Sequence, residues 1–403
     1  MKRNYSVLIL LFTLGLILTC THCRRGDEDL QALVEDIGHR FAPDSRVAIW
    51  SVKIERRHGT PTLTGETTVP QAVEALRDSL EARGQSVQWD VRVLPVPAYR
   101  STPFGVVTIS VTNLRGIPDR GGELVTQAIL GTPVRRYKRN DYWDLIQTPD
   151  GYLGWVDRGT ITWMDSTEFT RWRQSLRCLV TVPYALVLAD SGDTAETVSD
   201  AVAGSLLEYS TVRDGYWWVR FPDGRTGKLR QSDAVDFRSW LRSSRPMPDQ
   251  LLLTAKRFRG FPYLWGGTST KGFDCSGFTK TVYFLQGWLL PRDASQQVTV
   301  GQLVTRSVDF ELLQPGDLLF FGRKATADEP EHATHVGLYL GNTEFIHSSG
   351  RVKINSLDST RANFNQYRYD HFLQARRILS DSTVPVLKRQ EWYVQTTEVD
   401  RHE

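Results

Sequence analysis

The chain opens on a nearly unbroken apolar run from Val7 to Leu18, behind the basic pair Lys2 and Arg3. Such a run is too short to cross a bilayer and has the shape of an export-signal core. From Asp27 to about Leu94 the pattern changes to alternating short elements. Leu30 to Ile37 predicts a helix, Arg46 to Val52 a strand and Val87 to Leu94 another strand. Between the strands, Pro70 opens a stronger helix with Ala72, Val73, Leu76 and Leu80 at helical spacing and Gly84 as its stop. An internal repeat follows. Tyr142-Trp143 precedes Pro149-Asp150-Gly151 and Gly154; Tyr216-Trp217-Trp218 precedes Pro222-Asp223-Gly224 and Gly227. Gly131 and Gly204 recur at the same spacing. Each copy reads as an aromatic strand, an Asp-Gly turn and a returning strand, so two small β-barrels are the simplest account. Ser239 to Pro248, rich in serine and proline, reads as a linker.

The last third carries a different pattern. Gln250 to Arg259 predicts a helix ending at Gly260. After Cys275, Phe278, Val282, Leu285 and Leu289 recur at helical spacing, which places the cysteine at a helix start. His335 to Leu340 alternates as a strand, and Phe345-Ile346-His347 begins its return. A three-residue loop, Gly341-Asn342-Thr343, would pair Leu340 with Glu344 and put both histidines on one face as diagonal neighbours. A two-residue loop would put them on opposite faces.

Composition bounds the reading further. At 40% hydrophobic and 24% charged residues, the 403-residue chain has material for two to four buried cores. A net charge of +3 without a basic stripe argues against nucleic acid as a partner. Ile17-Leu18-Thr19-Cys20 resembles a bacterial lipoprotein cleavage site, which makes Cys20 the expected lipidation site and a membrane anchor. Thr19 departs from the smaller residue usual there, and ordinary secretion is the alternative. Beyond the leader only Cys178 and Cys275 remain. A disulfide and two free thiols are both allowed, and the setting of Cys275 favours the second.

That setting is chemical. Free backbone N–H groups and the positive dipole end of a helix favour thiolate, the reactive form of cysteine. A histidine on a neighbouring strand supplies a base, and a second orients the first through its other nitrogen. Glu331 and His332 lack paired metal-ligand spacing, so no metal and no cofactor is expected.

The segments PYLWGG, GFDCSGF, LPRDASQQ, LQPGDLLFF, THVGLYLG and FIHSSG, in this order, resemble the motifs of NlpC-type cell-wall cysteine peptidases over about Gln250 to Ile378. The repeat resembles bacterial SH3-like domains, companions of wall-degrading enzymes. The resemblance implies an α+β chain in which a papain-like catalytic domain follows two SH3-like barrels and a short α+β segment. The expected boundaries are a leader at 1–23, the α+β segment at 24–95, barrels at 96–170 and 171–238, a linker at 239–249, the peptidase at 250–380 and a tail at 381–403. It implies Cys275 as nucleophile, His335 as general base, His347 as orienting residue and Tyr263 near the oxyanion. Asp274 and Ser276 would contact the amino end of the substrate, with helix capping as their plainer role. Glu123 and Tyr152 of the first barrel would help receive that end. Trp265 and Gly266-Gly267 would form the cleft floor, and Arg292 with Asp293 would line it or form an exposed ion pair. The three-part arrangement is similar to γ-D-glutamyl-L-diamino acid endopeptidases, which act on peptidoglycan stem peptides in the cell envelope. An acyltransferase on the same fold and a non-catalytic wall-binding lipoprotein are the alternatives.

Overall fold

The computed structural model describes residues 27–191, 195–243, 247–387 and 391–394, so the leader and Cys20 lie outside the described residues. The chain divides into two compact units at Arg100/Ser101.

In the first unit, α1 (27–41) and α2 (Pro70–Ala82) cover a three-stranded sheet of β1 (Lys53–Arg57), β2 (Thr60–Thr67) and β3 (Gln88–Val93). Strands β2 and β3 are parallel, joined by the α2 crossover. Leu33, Ile37, Leu63, Ala72 and Leu76 form the core. The expected strand at Arg46–Val52 is not formed: residues 45–47 turn, and only Trp50 bridges to Thr67. The strand comes later, because His58 and Gly59, both at positive φ, make a two-residue hairpin turn between β1 and β2.

The second unit begins with the repeat. The first copy contains β4 (Phe104–Val107), β5 (Val111–Arg115), β6 (Leu124–Ile129), β7 (Pro133–Asn140), β8 (Trp143–Gln147), β9 (Leu153–Asp157) and β10 (Ile161–Met164). After α3 (Ser166–Gln174) the second copy contains β11 (Arg177–Val180), β12 (Tyr184–Leu188), β13 (Thr197–Val202), β14 (Leu206–Arg213), β15 (Tyr216–Arg220), β16 (Thr226–Arg230) and β17 (Ala234–Asp236). Every strand of the second copy starts 73 residues after its counterpart, as Arg177 does after Phe104. The sheet orders are equivalent, β10-β4-β7-β8-β9-β5-β6 and β17-β11-β14-β15-β16-β12-β13. Even the β-bulge repeats, between Arg136 and Lys138 and between Tyr209 and Thr211. Both copies are SH3-like. Cys178 lies fully buried in the second, and burial pushes its thiol up to about 12. The expected linker is helical at its start: α4 (Phe237–Ser243) buries Phe237 and Leu241.

The last part of the unit is built from α5 (Pro248–Arg257), the short hairpin β18 (Thr268–Ser269) and β19 (Gly272–Phe273), α6 (Cys275–Phe284) and α7 (Ala294–Gln297), followed by a six-stranded antiparallel sheet. Its strands are β20 (Gln302–Thr305), β21 (Leu318–Arg323), β22 (His332–Gly341), β23 (Glu344–Ser349), β24 (Arg351–Ser356) and, after α8 (Gln366–Asp370), β25 (Phe372–Arg377). They lie in the order β20-β25-β21-β22-β23-β24. Strand β21 is apolar from Leu318 to Phe321 because both faces are covered there. Leu318 and Phe320 join Phe278, Val282 and Leu338 on one side, while Leu319 and Phe321 join Tyr339, Phe345 and Phe372 on the other. The segment after the sheet packs back on the unit. Leu387 N–H donates to Gly287 O (2.8 Å), and Arg177 Nη2 donates to Tyr393 O (2.7 Å).

Candidate active site

Cys275 is the first residue of α6, and Asp274 caps that helix by accepting from Gly277 N–H at 2.7 Å. The helix start can press against the 264–267 loop only because residue 277 is glycine. A Cβ there would stand 2.0 Å from Gly267 O. The backbone N–H dipoles of Val336, next in sequence to His335, and of Ser276 favour the ionised form of the thiol. The net effect on its ionisation differs from the helix-tip expectation. Burial, reinforced by the Asp274 charge, outweighs those donors and pushes the Cys275 thiol up to about 11. The unliganded site therefore holds a neutral thiol.

Both histidines lie on one face, by a route other than the expected loop. The β22–β23 turn has two residues, Asn342 and Thr343, both at positive φ, and Gly341 pairs with Glu344. A bulge at Leu340 then restores the register Tyr339↔Phe345 and Leu338↔Ile346. The extra residue cancels the flip that a two-residue turn alone would impose. His335 Nε2 and His347 Nδ1 stand 2.7 Å apart with their rings nearly perpendicular, at 89°. The pair sits among Phe321 and Phe345, whose centroids lie 6.0 Å from His335 and 4.8 Å from His347 respectively. Burial in this apolar setting holds His335 well below its ordinary pKa and His347 at about 4, so both rings are neutral.

Proton positions follow from the next strand. Asn355 Nδ2 donates to Asn363 O (3.0 Å), a pure acceptor, which turns Asn355 Oδ1 toward His347 Nε2 (2.9 Å). His347 must then carry its hydrogen on Nε2 and accept at Nδ1. His335 in turn carries hydrogen on Nε2, which leaves its Nδ1 lone pair available to take a proton. Tyr263, pushed up to about 12 mainly by burial and further by the Asp274 charge, remains a phenol donor.

The remaining sequence-derived residues converge on the seam with the first barrel. Arg292 is fully buried, which removes the exposed-pair alternative. It makes two contacts to Asp274 (2.5 and 3.2 Å), one to Ser276 Oγ (3.0 Å) and one to Thr126 Oγ1 of β6 (2.9 Å). A buried guanidinium requires this degree of pairing. Tyr152 Oη donates to Asp293 (3.0 Å), and Trp265 Nε1 donates to Glu123 (2.8 Å). Trp265 is 62% exposed and forms a rim rather than the expected floor. Gly266 approaches the barrel and not a ligand: at φ +75°, its added Cβ would meet Leu124 O at 2.3 Å. Glu331 pairs with Arg306 (3.1 Å) and accepts from Gln374.

Sequence reasoning missed Asn355, Thr126 and Gln127. Gln127 of β6 accepts from Thr268 N–H (3.1 Å) and Ser269 Oγ (3.0 Å), anchoring the hairpin that leads into Cys275. The alternation of β24 and the single glycine at Gly350 would have placed Asn355 near His347. The two barrel residues carry no comparable signal, because only docking brings them to the site.

The NlpC/P60 family matches residues 260–377, and a bacterial dipeptidyl-peptidase SH3 domain matches residues 114–161. A γ-D-glutamyl-L-lysine dipeptidyl-peptidase of Bacillus cereus is 35% identical over 237 residues, covering 56% of this chain and 67% of that protein. Dipeptidyl-peptidase 6 of Lysinibacillus sphaericus is 29% identical over 278 residues, 65% of this chain and 94% of that one. Among solved structures, an NlpC/P60 family protein from Bacillus cereus aligns with a TM-score of 0.59 at 27% identity, covering 68% of this chain and 99% of that one.

Proposed function

Because the chain belongs to the NlpC/P60 family of cysteine peptidases, whose members include peptidoglycan hydrolases, we propose that it hydrolyses the γ-D-glutamyl–diamino acid amide of stem peptides bearing a free N-terminal L-alanine. Cys275 is the nucleophile. On substrate binding His335 Nδ1 takes the thiol proton, and the sulfur attacks the amide carbon. Helix-start N–H groups and the Tyr263 hydroxyl receive the oxyanion, a contribution that in other enzymes reaches about 3 kcal/mol per donor. His335 then protonates the leaving amine, and water cleaves the thioester. His347 keeps His335 in the required tautomer.

The observation that carries this reading is a helix-start cysteine acted on by the backbone of Val336, the neighbour in sequence of the first member of a buried, proton-ordered histidine pair. For recognition of the amino end, Glu123, Tyr152, Asp274, Ser276, Trp265 and Arg292 lie along one seam between barrel and peptidase. The nearby carboxylates, Glu123 and Asp293, suit an ammonium group. We place the boundaries of the working parts at the barrels and the 250–380 peptidase, and assign Cys20 the lipid anchor that holds the protein in the cell envelope. Among the described residues, no helix is long and apolar enough to cross a membrane.

The test uses leaderless protein with L-Ala-γ-D-Glu-diaminopimelate, its lysine counterpart and N-acetylated versions, read by mass spectrometry. Release of free diamino acid from the unblocked peptide, and its loss in Cys275→Ala, is the expected outcome. A new amide or ester product would instead indicate acyl transfer. Equal cleavage of the N-acetylated peptide would remove the amino-end assignment.

A further inference from the structure

The charges that act on the histidine pair are all of one sign. Lys353 lies opposite His347 in the β23–β24 register, so both side chains leave the same face of the sheet. Arg368, on α8, holds its guanidinium 5.7 Å from the Phe321 ring and 5.3 Å from that of Tyr367. Phe321 in turn packs on His335 at 6.0 Å. The positive charge of Arg368 acts on His335, His347 and Tyr263, favouring the deprotonated form of each, and a thiolate formed at Cys275 would act on Arg368 in turn. One cation therefore overlooks all four groups.

Both cations are half-buried. Neither side chain has a carboxylate partner among the described residues, whereas Arg292 on the other side of the site is saturated by Asp274. An unpaired, half-desolvated guanidinium here is unfavourable twice over. It forfeits hydration, and it opposes the imidazolium that must form on His335 when the thiol ionises. An anion arriving with the substrate would relieve both. A γ-linked D-glutamyl peptide brings such anions: the glutamyl α-carboxylate remains free on one side of the scissile amide, and the diamino acid carries carboxylates on the other. Guanidinium suits a carboxylate in particular, because its planar fork matches the two oxygens.

We propose that Arg368, seconded by Lys353, forms a carboxylate-binding subsite beside Cys275 that selects peptides with a free carboxylate next to the scissile bond. The subsite rests on the reading that this centre cuts γ-D-glutamyl amides. Binding of the carboxylate neutralises Arg368 and so removes its opposition to a charged His335, coupling recognition to ionisation of the Cys275–His335 pair.

The experiment compares kcat/KM on three peptides: L-Ala-γ-D-Glu-diaminopimelate, the same peptide with the glutamyl α-carboxylate amidated, and the same with the diaminopimelate carboxylates amidated. Each is run with parent protein, Arg368→Gln, Arg368→Lys and Lys353→Gln. The parent is expected to favour the free acid over one amidated peptide by about ten- to a hundredfold, the range of a charge-assisted hydrogen bond, and that peptide identifies the carboxylate. Arg368→Gln should bring the ratio close to one, with Arg368→Lys and Lys353→Gln intermediate. Equal losses on all peptides in Arg368→Gln, or a parent indifferent to both amidations, overturn the subsite while leaving the peptidase reading intact. A parent that cleaves none of the three overturns the peptidase reading itself.

Discussion

Asn355→Leu tests whether the third strand dictates the direction of the protons in the histidine pair. The substitution keeps most of the volume and deletes the acceptor 2.9 Å from His347 Nε2. His347 has no exposed surface, so bulk water cannot substitute. A buried N–H without a partner costs about 1–3 kcal/mol. The pair escapes that cost by reversing both protons: His347 then donates from Nδ1 to His335 Nε2, and His335 carries its hydrogen on Nδ1. In that form it cannot accept the thiol proton. At 1.36 kcal/mol per tenfold, the active population and kcat/KM should fall about five- to 150-fold. Asn355→Asp is the companion variant, since a carboxylate still accepts from Nε2–H and preserves the productive tautomer. Its negative charge should also raise His347 from about 4, moving the acidic limb of the pH–rate profile upward. The measurement is kcat/KM from pH 5 to 9, with melting curves to verify folding. An Asn355→Leu enzyme within twofold of the parent across that range would refute the proton-ordering argument.

Three further outcomes follow from the same geometry. With its thiol held at about 11, Cys275 should react with iodoacetamide at a rate rising about tenfold per pH unit between pH 7 and 10; a plateau below pH 8 would show a thiolate already formed. Arg292→Met strands the buried Asp274 carboxylate, so urea unfolding should report a loss of about 3–5 kcal/mol, and a loss under about 1 kcal/mol would contradict the pairing described. Gly277→Ala drives a methyl group to within 2.0 Å of Gly267 O. It should lower kcat at least about tenfold by displacing the helix start, and parent-like kinetics would show that the loop yields freely.

The chain's own pattern determined a good deal. Helical spacing after Cys275 put the nucleophile at a helix start, and period-two alternation put His335 and His347 on adjacent strands, because these signals depend only on neighbours within a few residues. The repeat was legible for the same reason, its turns being written in Asp-Gly and its strands in aromatic residues. Local pattern failed where competing turns were near-degenerate, as at Arg46–Val52, where the His58-Gly59 hairpin claimed the strand instead. It also predicted the right face for the histidines through the wrong loop, since a bulge at Leu340 is not encoded in hydrophobic period. Tertiary structure alone decided the electrostatics and the seam. Whether Cys275 is ionised depends on burial and on Asp274, and burial is a property of everything packed around the sulfur. Thr126 and Gln127 reach the site from more than a hundred residues away, placed there by the docking of a barrel whose sequence contains no catalytic signal. Helix and strand periodicities are local physics, whereas desolvation and docking are collective, and only the assembled fold supplies them.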